Sequence, residues 1–143
     1  MEQMRSALEA LYHREVVAAH REGDPVRFAH RYGTGPDLEV AALISASFAF
    51  GRVSVMLKSL AGIFDRLGTN PAETIPALGE KGLTERFRGF RYRYVGEKAM
   101  VGLLTGISPF CSGDSIRDCC ETTDPFTWGS RIREALLDHS AHP

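Results

Sequence analysis

Long apolar runs are missing from this chain, and so is an excess of charge of either sign. No stretch approaches the ~18 residues of a membrane-spanning helix. The opening MEQMRSALEALYHREV is charged throughout and lacks the apolar centre of a secretion signal, so the sequence reads as cytoplasmic. With 17 Lys and Arg against 18 Asp and Glu, the net charge of -1 exerts no global pull on nucleic acid, and any basic function has to be local. Cysteine is scarce: Cys111, Cys119 and Cys120 are the only 3. An odd count without an export signal argues against a disulfide framework. There is no C-x-x-C pair, and vicinal Cys119 and Cys120 are poorly placed to share a tetrahedral ion with His139 or His142, so no metal is expected. No cofactor is expected either, because Gly33-Thr34-Gly35 lacks the Gly-Lys-Ser/Thr ending of a phosphate loop.

What is present is ordinary globular material, 143 residues with 43% hydrophobic composition, enough to bury about two-thirds of the unfolded surface. Met4, Leu8, Leu11, Tyr12 and Val16 recur at helical spacing over Gln3 to Arg21, and Gly23, Asp24 and Pro25 end that segment. A connecting stretch, VRFAHRYGTGP, leads to Thr34 and Asp37, which read as a capping-box variant. The helix they open, Asp37 to Phe50, is apolar on more than one face and is expected at the buried centre. Gly51 and Arg52 interrupt. Val53, Met56, Leu57, Leu60, Ile63, Phe64 and Leu67 then trace an amphipathic helix closed by Gly68. Asn70 and Pro71 start a short helix through about Leu78, Thr84 can cap a further turn, and Glu97 to Ile107 forms another apolar-faced helix. No alternating strand run stands out. The fold reads as all-α, a compact orthogonal bundle over residues 1–107. Residues 108–143 hold every cysteine and the only Trp, with few strong helix formers. They are expected to be either a loosely ordered tail or a truncated, non-native continuation.

The densest basic stretch is LTERFRGFRYRYVGEKA, where Arg86, Arg88, Arg91 and Arg93 alternate with Phe87, Phe90, Tyr92 and Tyr94 and no acid intervenes. Guanidinium groups neutralise phosphates and aromatic rings offer stacking faces, so the interleaving suits a nucleic-acid surface. It equally suits a solvated turn between packed helices. A second cluster, His30, Arg31, Asp37 and Glu39, lies near Asp24. Paired carboxylates can do acid–base chemistry, but acids in a first helical turn oppose the helix dipole without any catalytic role. A structural polar cluster is the reading adopted, with Arg31 paired to Asp37 or Glu39. Ser45 and Ser47, on the apolar helix, are expected to bond back to carbonyls one turn earlier, with no His placed to activate them.

Asp37 to Leu67, containing L-I-S-A-S-F-A-F-G-R and followed by Gly68-Thr69-Asn70-Pro71, resembles the early helices of helix-hairpin-helix base-excision DNA glycosylases. Gly89-Phe90-Arg91-Tyr92-Arg93 with Lys98, Ala99 and Leu103 resembles a later segment of the same enzymes. Over residues 24 to about 107, the runs DPVRFAHRY, DLEVAALISASFAFGRV and FRGFRYRY are more closely similar to a bacterial family of conserved hypothetical proteins, a domain of unknown function. The resemblance implies a glycosylase-like N-terminal half in which Arg88, Arg91, Arg93, Lys98 and, more weakly, Arg52 lie near the backbone of double-stranded DNA. The glycine-rich hairpin and the acid that drives base release in those enzymes have no counterpart here, so no catalytic residue is expected and base excision by this chain alone is not. The competing reading is a helical module that self-associates through uncovered apolar surface on the Asp37 to Phe50 helix. A small-molecule enzyme using His30, Asp37 and Glu39 ranks below both.

Overall fold

The computed structural model describes residues 2–12 and 22–112. Among these the chain is all-α, as its periodicities imply, apart from one small hairpin. The order is α1 (Glu2–Tyr12), a single turn α2 (Val26–Ala29) continued by 3-10 turn His30–Tyr32, α3 (Pro36–Ser47), α4 (Val53–Leu67) and α5 (Pro71–Arg86). Then come β1 (Arg91–Tyr92), β2 (Val95–Gly96) and α6 (Glu97–Ser112). The N-terminal segment, expected to run as far as Arg21, is described only as far as Tyr12. Helix α6 runs past Ile107, where the sequence placed its end. The rest of the expected tail, with Cys119 and Cys120, lies outside the described residues.

One core joins α2 to α6: Phe28, Val40, Ile44, Phe48, Leu60, Ile63, Ile75, Leu83, Phe87, Met100 and Leu104 are all buried in it. Helix α3 supplies Val40, Ala41, Ile44 and Ser45 to that core while Ala42, Ala46 and Ser47 face out. It is therefore a one-sided helix, and its small outer residues made it look apolar all round. Ser47 bonds back to the Leu43 carbonyl at 2.8 Å as expected. The Ser45 hydroxyl is buried without a hydrogen-bond partner among the described residues.

Helix starts and stops follow local chemistry. Pro36 and Pro71 open α3 and α5 at positions where a missing N–H costs nothing. Gly68 closes α4, giving its N–H to the Phe64 carbonyl at 2.8 Å. Helix α5 breaks at Gly79 (φ 57°), just past the Leu78 end expected from sequence, and then resumes to Arg86. Thr84 does not cap that second piece; its hydroxyl bonds back to the Glu80 carbonyl at 2.9 Å.

The expected capping box at Thr34 and Asp37 is also corrected. The N-cap of α3 is Gly35, which makes no side-chain cap bond. Asp37 Oδ1 instead accepts the Ala72 N–H at 2.8 Å, capping α5 from a helix 35 residues earlier. Asp37 thereby serves an orphan amide and the positive end of α5 together, while tying α3 to α5. Asp37→Ala should lower stability by about 0.5–2 kcal/mol, read as a lower denaturant midpoint at unchanged slope. Asp37→Asn keeps an acceptor and should recover part of that loss.

Candidate functional site

The basic stretch folds as the end of α5, a turn, and a two-stranded hairpin. Arg91 pairs with Gly96 and Tyr92 with Val95, so the loop is Arg93–Tyr94. Arg93 takes φ 54°, a left-handed conformation that a two-residue hairpin loop usually gives to Gly or Asn. Alternation along β1 turns Tyr92 inward to burial and leaves Arg91 and Arg93 exposed.

Most of the rings in the stretch are core, which corrects the expectation of a row of stacking faces. Phe87 and Tyr92 are buried and Phe90 is half-buried. Phe48, at the end of α3, meets Phe90 edge-on at 6.0 Å and Tyr92 at 5.7 Å. The Tyr92 hydroxyl donates to the Phe50 carbonyl. These contacts hold the hairpin against the α3–α4 junction. Gly51 eases the fit: a Cβ on it would stand 3.0 Å from the Tyr92 oxygen and 2.8 Å from Arg93 Nη1, so the end of the arginine would have to shift. Its φ of 92° also favours glycine.

That close approach brings Arg93 against Gly51, the chain neighbour of Arg52, which is the exposed N-cap residue of α4. Arg88 and Lys98 are exposed chain neighbours of a second clasp, in which the Gly89 N–H donates to Glu97 Oε2 at 2.6 Å. Among the described residues no carboxylate lies within 4.0 Å of Arg52, Arg88, Arg91, Arg93 or Lys98; the ion pairs formed there are Arg5–Glu9 and Arg27–Glu22. Arg86 is otherwise engaged. It donates to the Arg66 carbonyl at 2.9 Å while Arg66 donates to the Arg86 carbonyl at 3.2 Å, so two helix C-termini cap each other. Arg66 also lies over the Phe87 ring at 5.4 Å. Neither role shows in the sequence.

The residues of the polar cluster lie on the 3-10 turn and on α3. His30 is exposed on the 3-10 turn and Glu39 is half-buried on α3. Instead of pairing with Asp37, Arg31 places its guanidinium over the Phe28 ring at 4.6 Å. Tyr32 donates to the Gly68 carbonyl at 3.0 Å, and burial raises its pKa, with Arg31 opposing and Asp37 and Asp65 adding to the shift.

Asp37 also borders an open concavity of about 550 Å³, with Asn70, Glu73, Pro76 and Cys111 on its walls. Burial, and secondarily the Asp37 charge, pushes the Cys111 thiol up to about 11. Such a thiol is protonated at neutral pH and is a poor nucleophile. In a Cys119→Ser, Cys120→Ser background, alkylation of Cys111 should reach half its limiting rate near pH 11, against about 8.5 for an ordinary thiol. An unfolded thiolate forms above its ordinary pKa while the folded thiol stays protonated, so Cys111 costs stability progressively as pH rises from there to about 11. Among the described residues no cluster of His, Cys, Asp and Glu is suited to hold a metal ion, and no helix is long and apolar enough to cross a membrane.

Among the described residues the large exposed apolar side chains are Met4, Leu8, Val26, Val53, Val55 and Tyr94, none of them on α3, where the self-association reading looked for uncovered surface. Tyr94 stands out because it is 79% exposed yet packed on Phe50.

A helical chain whose exposed cations gather about an aromatic-backed hairpin is the class of protein that fold and site define. The chain belongs to the family described as Protein of unknown function (DUF2400), whose model matches residues 24–137. That match runs beyond residue 107, where the resemblance read from the sequence stopped. No curated protein and no solved structure matches the chain.

Proposed function

We propose that the face formed by Arg52, Arg91 and Arg93, with Arg88 and Lys98 at its margin, binds DNA through backbone phosphates. The observation that carries this reading is the packing of Gly51 against the hairpin. It brings the Arg93 side chain to the neighbour of Arg52 in the chain, and neither cation has a carboxylate partner among the described residues. Cations kept free of acids are available to displace counterions from a polyanion. The face is local, which suits a chain of net charge -1.

The distant kinship with helix-hairpin-helix glycosylases belongs to the same proposal, supported by the succession of phrases in residues 37 to 107. It brings a DNA-contacting role and no chemistry, since the one carboxylate described among these cations, Glu97, is engaged by the Gly89 N–H. The test is DNA affinity as a function of salt for the wild type and for Arg91→Ala, Arg93→Ala. A double variant with unchanged affinity and salt slope would sink the proposal. Self-association ranks second, because the exposed apolar side chains among the described residues are distributed over α1, α2, α4 and the hairpin loop.

A further inference from the structure

We infer that Tyr94 is a stacking platform for an unpaired base of the bound DNA strand. This rests on the phosphate-binding reading and narrows the substrate to DNA with an accessible base face. Three rings form a nearly parallel series from the core to the surface. Phe48 is buried and stacks with Phe50 at 6.5 Å and 18°; Phe50 stacks in turn with Tyr94 at 5.2 Å and 13°. Phe50 is fixed from two further directions, by the Tyr92 ring at 5.1 Å and by the Tyr92 hydroxyl on its carbonyl. The inner face of Tyr94 is therefore covered by a ring that is itself held, while the side chain as a whole remains 79% exposed.

An exposed aromatic at a hairpin tip would ordinarily be free to rotate, and ordering it would oppose binding. Here the stack has already ordered it, so a base added to the series meets a preorganised surface. Charges lie close by in the chain for that ligand: Arg93 adjoins Tyr94 in the loop, and Arg91 is exposed on the adjoining strand β1. A strand with its phosphates on the arginines would carry a base towards the ring. In a duplex the base faces are covered by their neighbours, whereas a single strand offers them freely, and stacking on an aromatic side chain tolerates any base.

The test uses the full chain, with a single-stranded oligonucleotide containing one 2-aminopurine and a blunt hairpin duplex of the same composition. Wild type should prefer the single strand, and binding should quench the 2-aminopurine. Tyr94→Ala should cut single-strand affinity about tenfold and remove the quenching, with little change on the duplex. Tyr94→Trp should retain both signals. Tyr94→Leu, which keeps apolar contact with Phe50 but has no π-face, should behave like the alanine variant and guards against a loss caused by a disturbed hairpin. If Tyr94→Ala and Tyr94→Leu bind the single strand as wild type does while Arg91→Ala, Arg93→Ala weakens it, stacking is overturned and the phosphate reading stands. If no variant changes affinity, or the wild type binds neither oligonucleotide, both fall.

Discussion

Truncating Phe48 to alanine should remove about 3–5 kcal/mol of folding stability, a large fraction of what a domain of this size holds. Phe48 follows α3, where the chain turns towards Gly51, and it is buried there against Phe50, Phe90 and Tyr92. Its removal leaves a cavity between three rings that are tied to different segments, so no single shift closes the gap. The hairpin should loosen as well, because its inward residue Tyr92 packs on Phe48. Phe48→Leu fills much of the volume and should cost well under half as much. Denaturant unfolding measures the stability, and amide exchange at Tyr92 and Val95 reports on the hairpin. An alanine variant within about 1 kcal/mol of wild type would mean that the ring cluster does not anchor the hairpin to the core.

Much of the helical frame is legible in the sequence because its signals are local. The three- and four-residue spacing from Val53 to Leu67 marks α4 to the residue, and Gly68 supplies the stop. Pro71 and Gly79 bracket the first piece of α5 for the same reason. The hairpin is hidden because each strand has only two residues, too few for an alternating pattern, and because Arg93 occupies a loop position where Gly or Asn would have signalled a turn. The run Arg91-Tyr92-Arg93 does alternate outward and inward, which is the signal that could have shown it.

The candidate site was legible as a list of cations but not as a surface. Nothing local shows that Gly51 yields space to Arg93, or that Arg86 spends its guanidinium on the Arg66 carbonyl. Composition marks four aromatics in the basic stretch as equivalent, whereas packing assigns Phe87 and Tyr92 to the core and leaves Tyr94 outside. The Asp37 cap on α5 is invisible for a related reason. Its acid sits in a first helical turn, as a dipole partner should, but the amide that it serves belongs to another helix.

The arginine face should announce itself through salt. Each phosphate neutralised adds about 0.9 to the slope of log affinity against log salt for a duplex, and about 0.7 for a single strand. Replacing Arg91 and Arg93 together should therefore flatten the slope by roughly 1.4 to 1.8, and at about 0.1 M salt weaken binding some 25- to 60-fold, the larger value on duplex. Both side chains are exposed, so the double variant should unfold at the wild-type denaturant concentration, which separates lost contacts from lost structure. Arg52→Ala should flatten the slope by a further ~0.7 to 0.9. Arg66→Ala makes the internal contrast. Its guanidinium is committed to the Arg86 carbonyl and the Phe87 ring, so its loss should lower stability and leave the salt slope intact. A slope that responds equally to Arg66 and to Arg93 would mean that diffuse charge, rather than this face, meets the DNA.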